Sequence, residues 1–337
     1  GEVLCDYSGA QLHAFKEWLK RKYGDIEELR KAWGKASLDW DDIRIPEPER
    51  RLNGDLGEVF DPRRSRDVID YLTFHSEVVA DAILRLARIV KAETKGQKLF
   101  GVFYGYHVMP GFRPGEFFDS GHGALYKVLE SPDVDFICAP YSYRERRPGG
   151  VCVSQLPVDS IRLHGKVFYN EDDTRTFLTR EDAGFGRCGT LEETVEVLKR
   201  NTGYVLCEGG TQWWMDLGGA DWFLHPEILS AVGRLRRIAE EALRRPRGRT
   251  SEIAVVVSDE SRPYLCQSYD LIGPLVIRQI HEQISRIGAP FDIYLASDIG
   301  RLPDYKLYIF LDTVYMSERT RKAIRERVLR GGHVVLW

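Results

Sequence analysis

Residues Lys166–Arg175 read KVFYNEDDTR. Val167, Phe168 and Tyr169 make a short apolar run, which predicts a strand over Lys166–Tyr169. Asn170, Glu171, Asp172 and Asp173 end that run, and Thr174 and Arg175 follow. An apolar strand that stops in a row of carboxylates fits a parallel α/β protein. There the strands are buried on both faces and polar chemistry gathers at their C-terminal ends.

The same alternation extends in both directions. Upstream, Leu99–Tyr106 and Val134–Ala139 read as strands, with a helix over Gly121–Leu129 between them and the segment Val158–Leu163 before Lys166. Downstream, the pattern predicts a helix over Leu191–Lys199, a fourth strand over Tyr204–Cys207 and a helix over Pro226–Arg244. Nearer the N-terminus, Ser8–Tyr23 and Ile26–Trp33 carry apolar residues at helical spacing and stop at Gly24 and Gly34. Ile45–Asp61 reads as loop, and Pro62–Lys95 as one long amphipathic helix. The charged run from Arg244 to Arg249, with Pro246 and Gly248, reads as a linker, giving domains over 1–247 and 252–337. Past it, strands at Ile253–Val257, Phe291–Leu295, Leu307–Leu311 and Val334–Trp337 alternate with helices at Tyr269–Arg286 and Thr320–Leu329. This second unit has neither a G-x-G-x-x-G nor a P-loop motif, so nucleotide binding is not expected.

Composition narrows the function classes. Forty-eight Lys and Arg against 51 Asp and Glu give a net charge of −3, which supplies no overall basic surface for nucleic acid. No apolar run approaches the roughly 18–20 residues that span a bilayer. The six Cys are scattered without a C-x-x-C pair and the eight His are isolated, so no metal site is expected. Cys138 and Cys207 lie in apolar surroundings, which points to a reducing, cytoplasmic setting. The chain opens on Gly1 and closes on the apolar Val334–Trp337 without a polar tail, so a fragment truncated at both ends is expected.

The strand ends hold the candidate site. They read Tyr104-Gly105-Tyr106-His107, then Pro140-Tyr141-Ser142-Tyr143-Arg144, then Tyr169 to Arg175, then Glu208-Gly209-Gly210 leading to Gln212-Trp213-Trp214. Aromatic faces stack on the C–H faces of sugar rings, while carboxylates and Arg bind the hydroxyls, so this mouth has the profile of a carbohydrate pocket. Glu171 is the candidate nucleophile. An ionised carboxylate fixed at a barrel mouth, with Arg175 as the nearby cation, suits attack on an anomeric carbon. Tyr104, Tyr106, His122, Tyr141, Tyr143, Arg175, Trp213 and Trp214 are candidate sugar contacts. Each has a plainer reading beside it. Glu171-Asp172-Asp173 also reads as an acidic turn, Trp213 and Trp214 as core aromatics with one of the pair facing the site, His122 as a helix-start residue, and Glu208 as a second acid or a turn residue.

Phe15-Lys16-Glu17-Trp18-Leu19-Lys20-Arg21-Lys22-Tyr23-Gly24, with Ile26, Leu29, Ala32-Trp33-Gly34, Ile43 and Pro46, resembles the F-x-x-WL-x-x-KYG … LN-x-AWG … P block of the family 42 glycoside hydrolases. Those are retaining β-galactosidases. Ser131–Tyr143 and Leu163–Thr176 are similar to divergent relatives of that family. Leu307–Leu311 and Gly331–Trp337 resemble its trimerisation domain. The resemblance implies the C-terminal half of a (β/α)8 TIM barrel followed by a partial flavodoxin-like α/β domain. It implies retaining hydrolysis of a β-glycoside, most directly a β-galactoside, without a cofactor. β-Mannoside or β-glucoside specificity, and a non-catalytic sugar-binding role on a decayed barrel, stand as alternatives. It matches Glu171 to the family's nucleophile at the end of the seventh barrel strand, and implies a homotrimer for the full-length protein. The family's acid/base glutamate follows an Asn at the end of the fourth strand. Glu2 lies near that place but follows Gly1, so the acid/base is expected at Glu2 or in a missing N-terminal half.

Overall fold

The computed structural model describes residues 6–108, 117, 120–245, 248–266 and 278–337. Helices α1 (Gly9–Tyr23) and α2 (Ile26–Trp33) start on side-chain caps, Ser8 accepting from the Gln11 amide and Asp25 from that of Glu28. Gly24 and Gly34 follow them at φ of 80° and 64°, conformations a side chain would resist. A short helix, α3 (Pro48–Leu52), interrupts the segment read as loop. The long helix α4 (Arg66–Glu93) carries Tyr71 and Phe74, and these pack with Phe15, Trp18, Leu19, Leu29 and Trp33 in one cluster.

One polar residue ties this corner together. Asp70 of α4 is fully buried and accepts from Lys22 Nζ (2.9 Å), Tyr23 Oη (2.7 Å) and Trp33 Nε1 (2.8 Å), with Arg66 Nε at 3.1 Å. Trp18 Nε1 donates to Glu77 on the same helix at 2.9 Å. The Trp, Lys-Tyr-Gly and Ala-Trp-Gly positions that carry the family resemblance are therefore the parts that cap α1 and α2 and dock them on α4.

Four parallel strands follow: β1 (Gly101–Phe103), β2 (Phe136–Pro140), β3 (Val167–Asp172) and β4 (Thr211–Trp214), in the order β1-β2-β3-β4. Between them lie α5 (Leu125–Leu129), α6 (Val158–Leu163) and α7 (Leu191–Cys207), with α8 (Pro226–Ala242) after β4. Ile137, Ala139 and Phe168 face these helices and share a core with Leu125, Val128, Ile161 and Val205. Gly101 has no room for a side chain, since the Phe136 ring lies 2.2 Å from where its Cβ would stand.

The fourth strand is not where the sequence pattern put it. Tyr204–Cys207 is the last turn of α7, because the buried residues Thr194, Val197, Leu198, Asn201, Thr202 and Val205 form one helical stripe through that run. A four-residue apolar run has no period of its own to distinguish strand from helix. Glu208 thus follows a helix rather than closing a strand, and Gly209 at φ 70° turns the chain into β4. Strand β3 also runs three residues further than expected, so that Glu171 lies on the strand.

A second parallel sheet is built from β5 (Ile253–Val257), β6 (Phe291–Leu295), β7 (Leu307–Phe310) and β8 (Val334–Leu336), in the order β6-β5-β7-β8. One face, through Ile253, Val255, Val257, Ile293 and Leu295, continues the core of the first sheet. The other, through Val256, Tyr308 and Phe310, covers Ile324 and Val328 beyond the short helix α9 (Glu318–Ala323). Edge strand β6 is covered by α6, where Asp159 accepts from the Ile293 amide (2.7 Å) and Ser160 from that of Leu295 (2.8 Å). Of the helix expected over Tyr269–Arg286, residues 269–277 lie outside the described residues. Among those described, no helix is long and apolar enough to cross a membrane.

Candidate active site

Register fixes the site. Glu171 pairs with Pro140 on β2 and with Trp213 on β4, so the three stand side by side on the face of the sheet away from the helices. The row beneath it is Phe103, Cys138, Tyr169 and Thr211. The Trp213 ring lies 6.1 Å from that of Tyr169 and 6.5 Å from that of Phe103. This aromatic floor is open, Trp213 being 37% exposed and Phe103 44%.

Glu171 itself is only 8% exposed, yet among the described residues no hydrogen bond or ion pair reaches its carboxylate. Burial pushes its pKa up to about 6, and the neighbouring charge of Asp173 adds to the rise. Arg146 and Arg175 pull the other way and do not cancel it. Arg175 therefore does not hold Glu171 as a direct partner, contrary to the sequence expectation. The guanidinium is committed to Asp173, donating to both its carboxylate and its carbonyl.

Asp173 is the charged centre of the mouth. It is fully buried and takes Arg146 Nη2 at 2.6 Å, the Arg175 guanidinium, and the Tyr143 hydroxyl at 3.0 Å. Burial alone would raise its pKa, but the two guanidiniums hold it below the usual range. Asp172 points the opposite way, into the helix layer. It accepts from the Thr174 amide (3.1 Å) and hydroxyl (2.6 Å) and from Asn201 of α7 (3.2 Å), and burial raises its pKa. Three consecutive carboxylates thus have three environments: alternation turns Asp172 away from the other two, and the loop cations distinguish Asp173 from Glu171.

The other candidates divide in two. Tyr106, Tyr143 and Trp213 surround Glu171, and Tyr106 presses its ring on His122 at 4.5 Å. His122 starts a 3-10 turn and its Nδ1 accepts from the Gly105 amide at 2.8 Å. Tyr104, Tyr141 and Trp214 are not at the mouth. The Tyr104 hydroxyl is held by the Gly121 carbonyl (2.7 Å) and the Ala124 amide (3.2 Å). Tyr141 turns to the helix side and meets Gln212 Oε1 at 3.0 Å, and Trp214 packs in the cluster of Leu198, Ile228 and Leu235. Successive strand residues point to opposite faces, which separates Trp213 from Trp214, whereas Tyr104 and Tyr106, like Tyr141 and Tyr143, lie past the ends of β1 and β2 and are placed by the loops. Glu2 lies outside the described residues.

Three residues at this mouth were not singled out from the sequence: Arg146, Phe185 and Trp222. The basic run Arg144–Arg147 after the second strand and the Gly184-Phe185-Gly186 triplet were the available signals. Among the described residues, no three His, Cys, Asp or Glu side chains converge as a metal site needs. A cleft of about 720 Å³ does exist between the two sheets, lined by Asp159, Arg162, Glu208, Arg249 and Asp292, but none of the mouth residues borders it. Burial and the charge of Asp292 push the Glu208 carboxyl there up to about 7.

Residues 1–119 match the sequence model of the family 42 glycoside hydrolases, described as β-galactosidase. Over that N-terminal third, the chain is similar to the family 42 glycoside hydrolases. The β-galactosidase LacA of Lactobacillus acidophilus is 35% identical over 89 residues, which is 23% of this chain and 12% of that protein. Among solved structures, the β-galactosidase of the psychrophilic Marinomonas ef1 superposes with a TM-score of 0.59 at 14% identity, over 98% of this chain and 52% of that one. The cold-adapted β-galactosidase of Rahnella sp. R3 gives 0.57 at 18% identity, over 92% and 45%. A catalytic mutant of a family 42 β-galactosidase from G. stearothermophilus also gives 0.57, at 14% identity, over 98% and 49%. The chain thus spans about half the length of the solved relatives. At these identities the structural likeness speaks to the fold, and the sequence match stops before Glu171.

Proposed function

We propose that this chain is the nucleophile-bearing half of a (β/α)8 glycosidase barrel, joined to a flavodoxin-like assembly domain, and that it serves retaining hydrolysis of a β-galactoside. The observation that carries this is Glu171: a nearly buried carboxylate without a partner among the described residues, at the C-terminal end of a parallel strand, with Trp213 beside it in register. A nucleophile must be ionised and uncommitted, and a carboxyl at about 6 is both at neutral pH. Trp213 offers an open face for the apolar side of a sugar ring held above Glu171.

In this reading Glu171 attacks the anomeric carbon as the leaving oxygen takes a proton from a second carboxyl about 5–5.5 Å away. That carboxyl then draws a proton from water, which releases the sugar with its configuration retained. The other carboxylates at the mouth do not suit the proton-donor role. Asp173 is held ionised by two guanidiniums, and Asp172 faces the helices. This supports an acid/base at Glu2 or on the complementary half of the barrel. The β6-β5-β7-β8 order matches the start of the 2-1-3-4-5 flavodoxin-like sheet. It supports a trimerisation unit beginning near residue 252. The five described cysteines are free thiols, which supports a cytoplasmic setting.

The test is to incubate the full-length gene product with a 2-deoxy-2-fluoro-β-galactoside and map the labelled peptide by mass. The fluorine slows both displacements, so a glycosyl group accumulates on the nucleophile. Label on Glu171 is expected. Label on another carboxylate removes Glu171 from the role. The absence of label with the galacto, gluco and manno analogues alike supports the sugar-binding alternative instead.

A further inference from the structure

One turn of α7 holds both loops that carry charge to the mouth. Arg200 is half-buried, and its guanidinium spans three carbonyls of the loop after β2. Nη1 donates to the carbonyls of Arg147 (2.9 Å) and Gly150 (3.1 Å), and Nη2 to that of Arg146 (2.9 Å). Nε and Nη2 also donate to Oδ1 of Asn201, at 3.2 and 3.0 Å, which fixes the plane of the fork. The loop is folded tightly around that fork. The Gly150 amide closes on the Arg147 carbonyl at 2.9 Å, and a Cβ on Gly150 would lie 1.9 Å from the Glu145 carbonyl oxygen. Converging carbonyls need several donors in one plane, which a guanidinium supplies and an ammonium does not. Asn201 faces the other way. Its Nδ2 donates to Asp172 (3.2 Å) and to the Thr174 hydroxyl (3.1 Å), at the end of β3.

Between these two anchors lies a contact that bears on Glu171. Arg146 is 5% exposed, and its Nη2 meets the Asp173 carboxylate at 2.6 Å. Asp173 follows Glu171 by two residues, so the Arg146 cation is tied through one carboxylate to the backbone beside Glu171. Glu171 has Arg146 and Arg175 on one side of its charge balance and Asp173 on the other. Tyr106 after β1 and Cys138 on β2 also face it, and burial keeps both neutral by raising their pKa values. The Cys152 and Cys188 thiols near Arg200 are neutral for the same reason. Among the described residues, the positive field on Glu171 thus comes from Arg175 and Arg146, and the loop bearing Arg146 is gripped by Arg200 at the Arg146 carbonyl itself. Resting on the reading of Glu171 as nucleophile, we infer that Arg200 is a positioning residue for the reaction: from the helix layer it sets the loop that places Arg146 against Asp173. It touches no sugar and acts through Arg146.

The experiment is a double-mutant cycle on the full-length gene product, read as the acid limb of kcat/KM for an aryl β-galactoside. Arg200→Met releases the loop, and Arg146→Gln removes the cation directly. Each should move the limb upward from about 6 by about one pH unit, because Asp173 still repels the ionised Glu171 while one guanidinium is lost. Together they should move it no further than Arg146→Gln does alone, since Arg200 then has nothing left to place. Unfolding temperatures are read alongside. An Arg200→Met protein that is less stable but keeps the parent's limb shows a structural brace only and overturns the inference. Shifts that add overturn it too, because Arg200 then acts by another route, and so does an Arg146→Gln limb that does not rise. If Arg200→Met does not fold, Arg200→Lys is read in its place. It keeps the charge but lacks the fork, and a limb at the parent's value overturns the inference in the same way. A parent without activity on galacto, gluco and manno substrates, or labelled on a carboxylate other than Glu171, removes the inference together with the reading it rests on.

Discussion

Asp173→Asn is the substitution that tests whether the charged centre sets the behaviour of Glu171. The change keeps the shape of the side chain and one acceptor for the Tyr143 hydroxyl and Arg146, but removes the negative charge between two guanidiniums. Two residues along a strand separate the carboxyls of Glu171 and Asp173 by roughly 7 Å. At an effective dielectric of about 20, a unit charge at that distance is worth about 2 kcal/mol, or roughly 1.5 pH units. Three contributions now act in one direction. The repulsion from Asp173 is lost, and Arg146 and Arg175, no longer neutralised, each favour the ionised form of Glu171. The desolvation that raises the pKa is unchanged. The acid limb of kcat/KM, which reports the free protein, should therefore move from about 6 to below 5 in the full-length gene product. The variant leaves two buried cations with one neutral partner, so its unfolding temperature must be measured alongside to confirm that it is folded at assay temperature. A limb that stays at 6, or rises, in a folded variant refutes the electrostatic reasoning, because each of the three terms has the same sign.

The same raised pKa makes Glu171 a cost to the fold. Above pH 6 the carboxyl is charged in both the folded and unfolded states and is penalised only in the folded one, whereas below about 4.5 it is neutral in both. Glu171→Gln should stabilise the protein at pH 7–8 by about 1 kcal/mol, allowing for solvent that still reaches the carboxylate, and the gain should vanish as pH falls from 6 to 4.5; denaturant titrations at pH 8 and pH 4.5 check it. Asp70→Ala strips the shared acceptor from Lys22, Tyr23, Trp33 and Arg66 and should cost about 3–5 kcal/mol, read by urea unfolding, and a loss under 1 kcal/mol would show the cluster to be incidental.

The fold was largely legible because its strands are short and apolar on both sides, and the parallel arrangement follows from their alternation with helices. Ile253–Val257 and Phe291–Leu295 have the bounds that their apolar runs predict. The reading failed at Tyr204–Cys207, where the decisive signal lay upstream, in the polar but buried Thr194, Asn201 and Thr202 that continue the stripe of α7. Buried polar residues are invisible to a pattern of apolar ones. The true strand, Thr211–Trp214, opens on Thr and Gln ahead of its two tryptophans and lacks the apolar run that marks the others.

The site was legible to the extent that strand alternation governs it, and no further. Alternation selects Glu171 and Asp173 for one face and Asp172 for the other, and separates Trp213 from Trp214. Which cation answers which carboxylate is set by loops. Arg175, two residues from Asp173, closes on it locally, and Arg146 reaches it from the loop after β2, so Glu171 is left without a partner among the described residues. The residues most recognisable in the sequence lie elsewhere. Lys22, Tyr23 and Trp33 converge on Asp70 to fasten two helices to a third, a task that tolerates little change because every donor shares one buried acceptor. Around Glu171, by contrast, the contacts come from loops whose lengths and sequences can vary while the strand stays fixed. A chain can therefore keep its likeness to a family in the helices that brace the sheet while the mouth that would choose the sugar diverges. For that reason the β-galactoside assignment rests on measuring Glu171 and its neighbours and not on the strength of the N-terminal match.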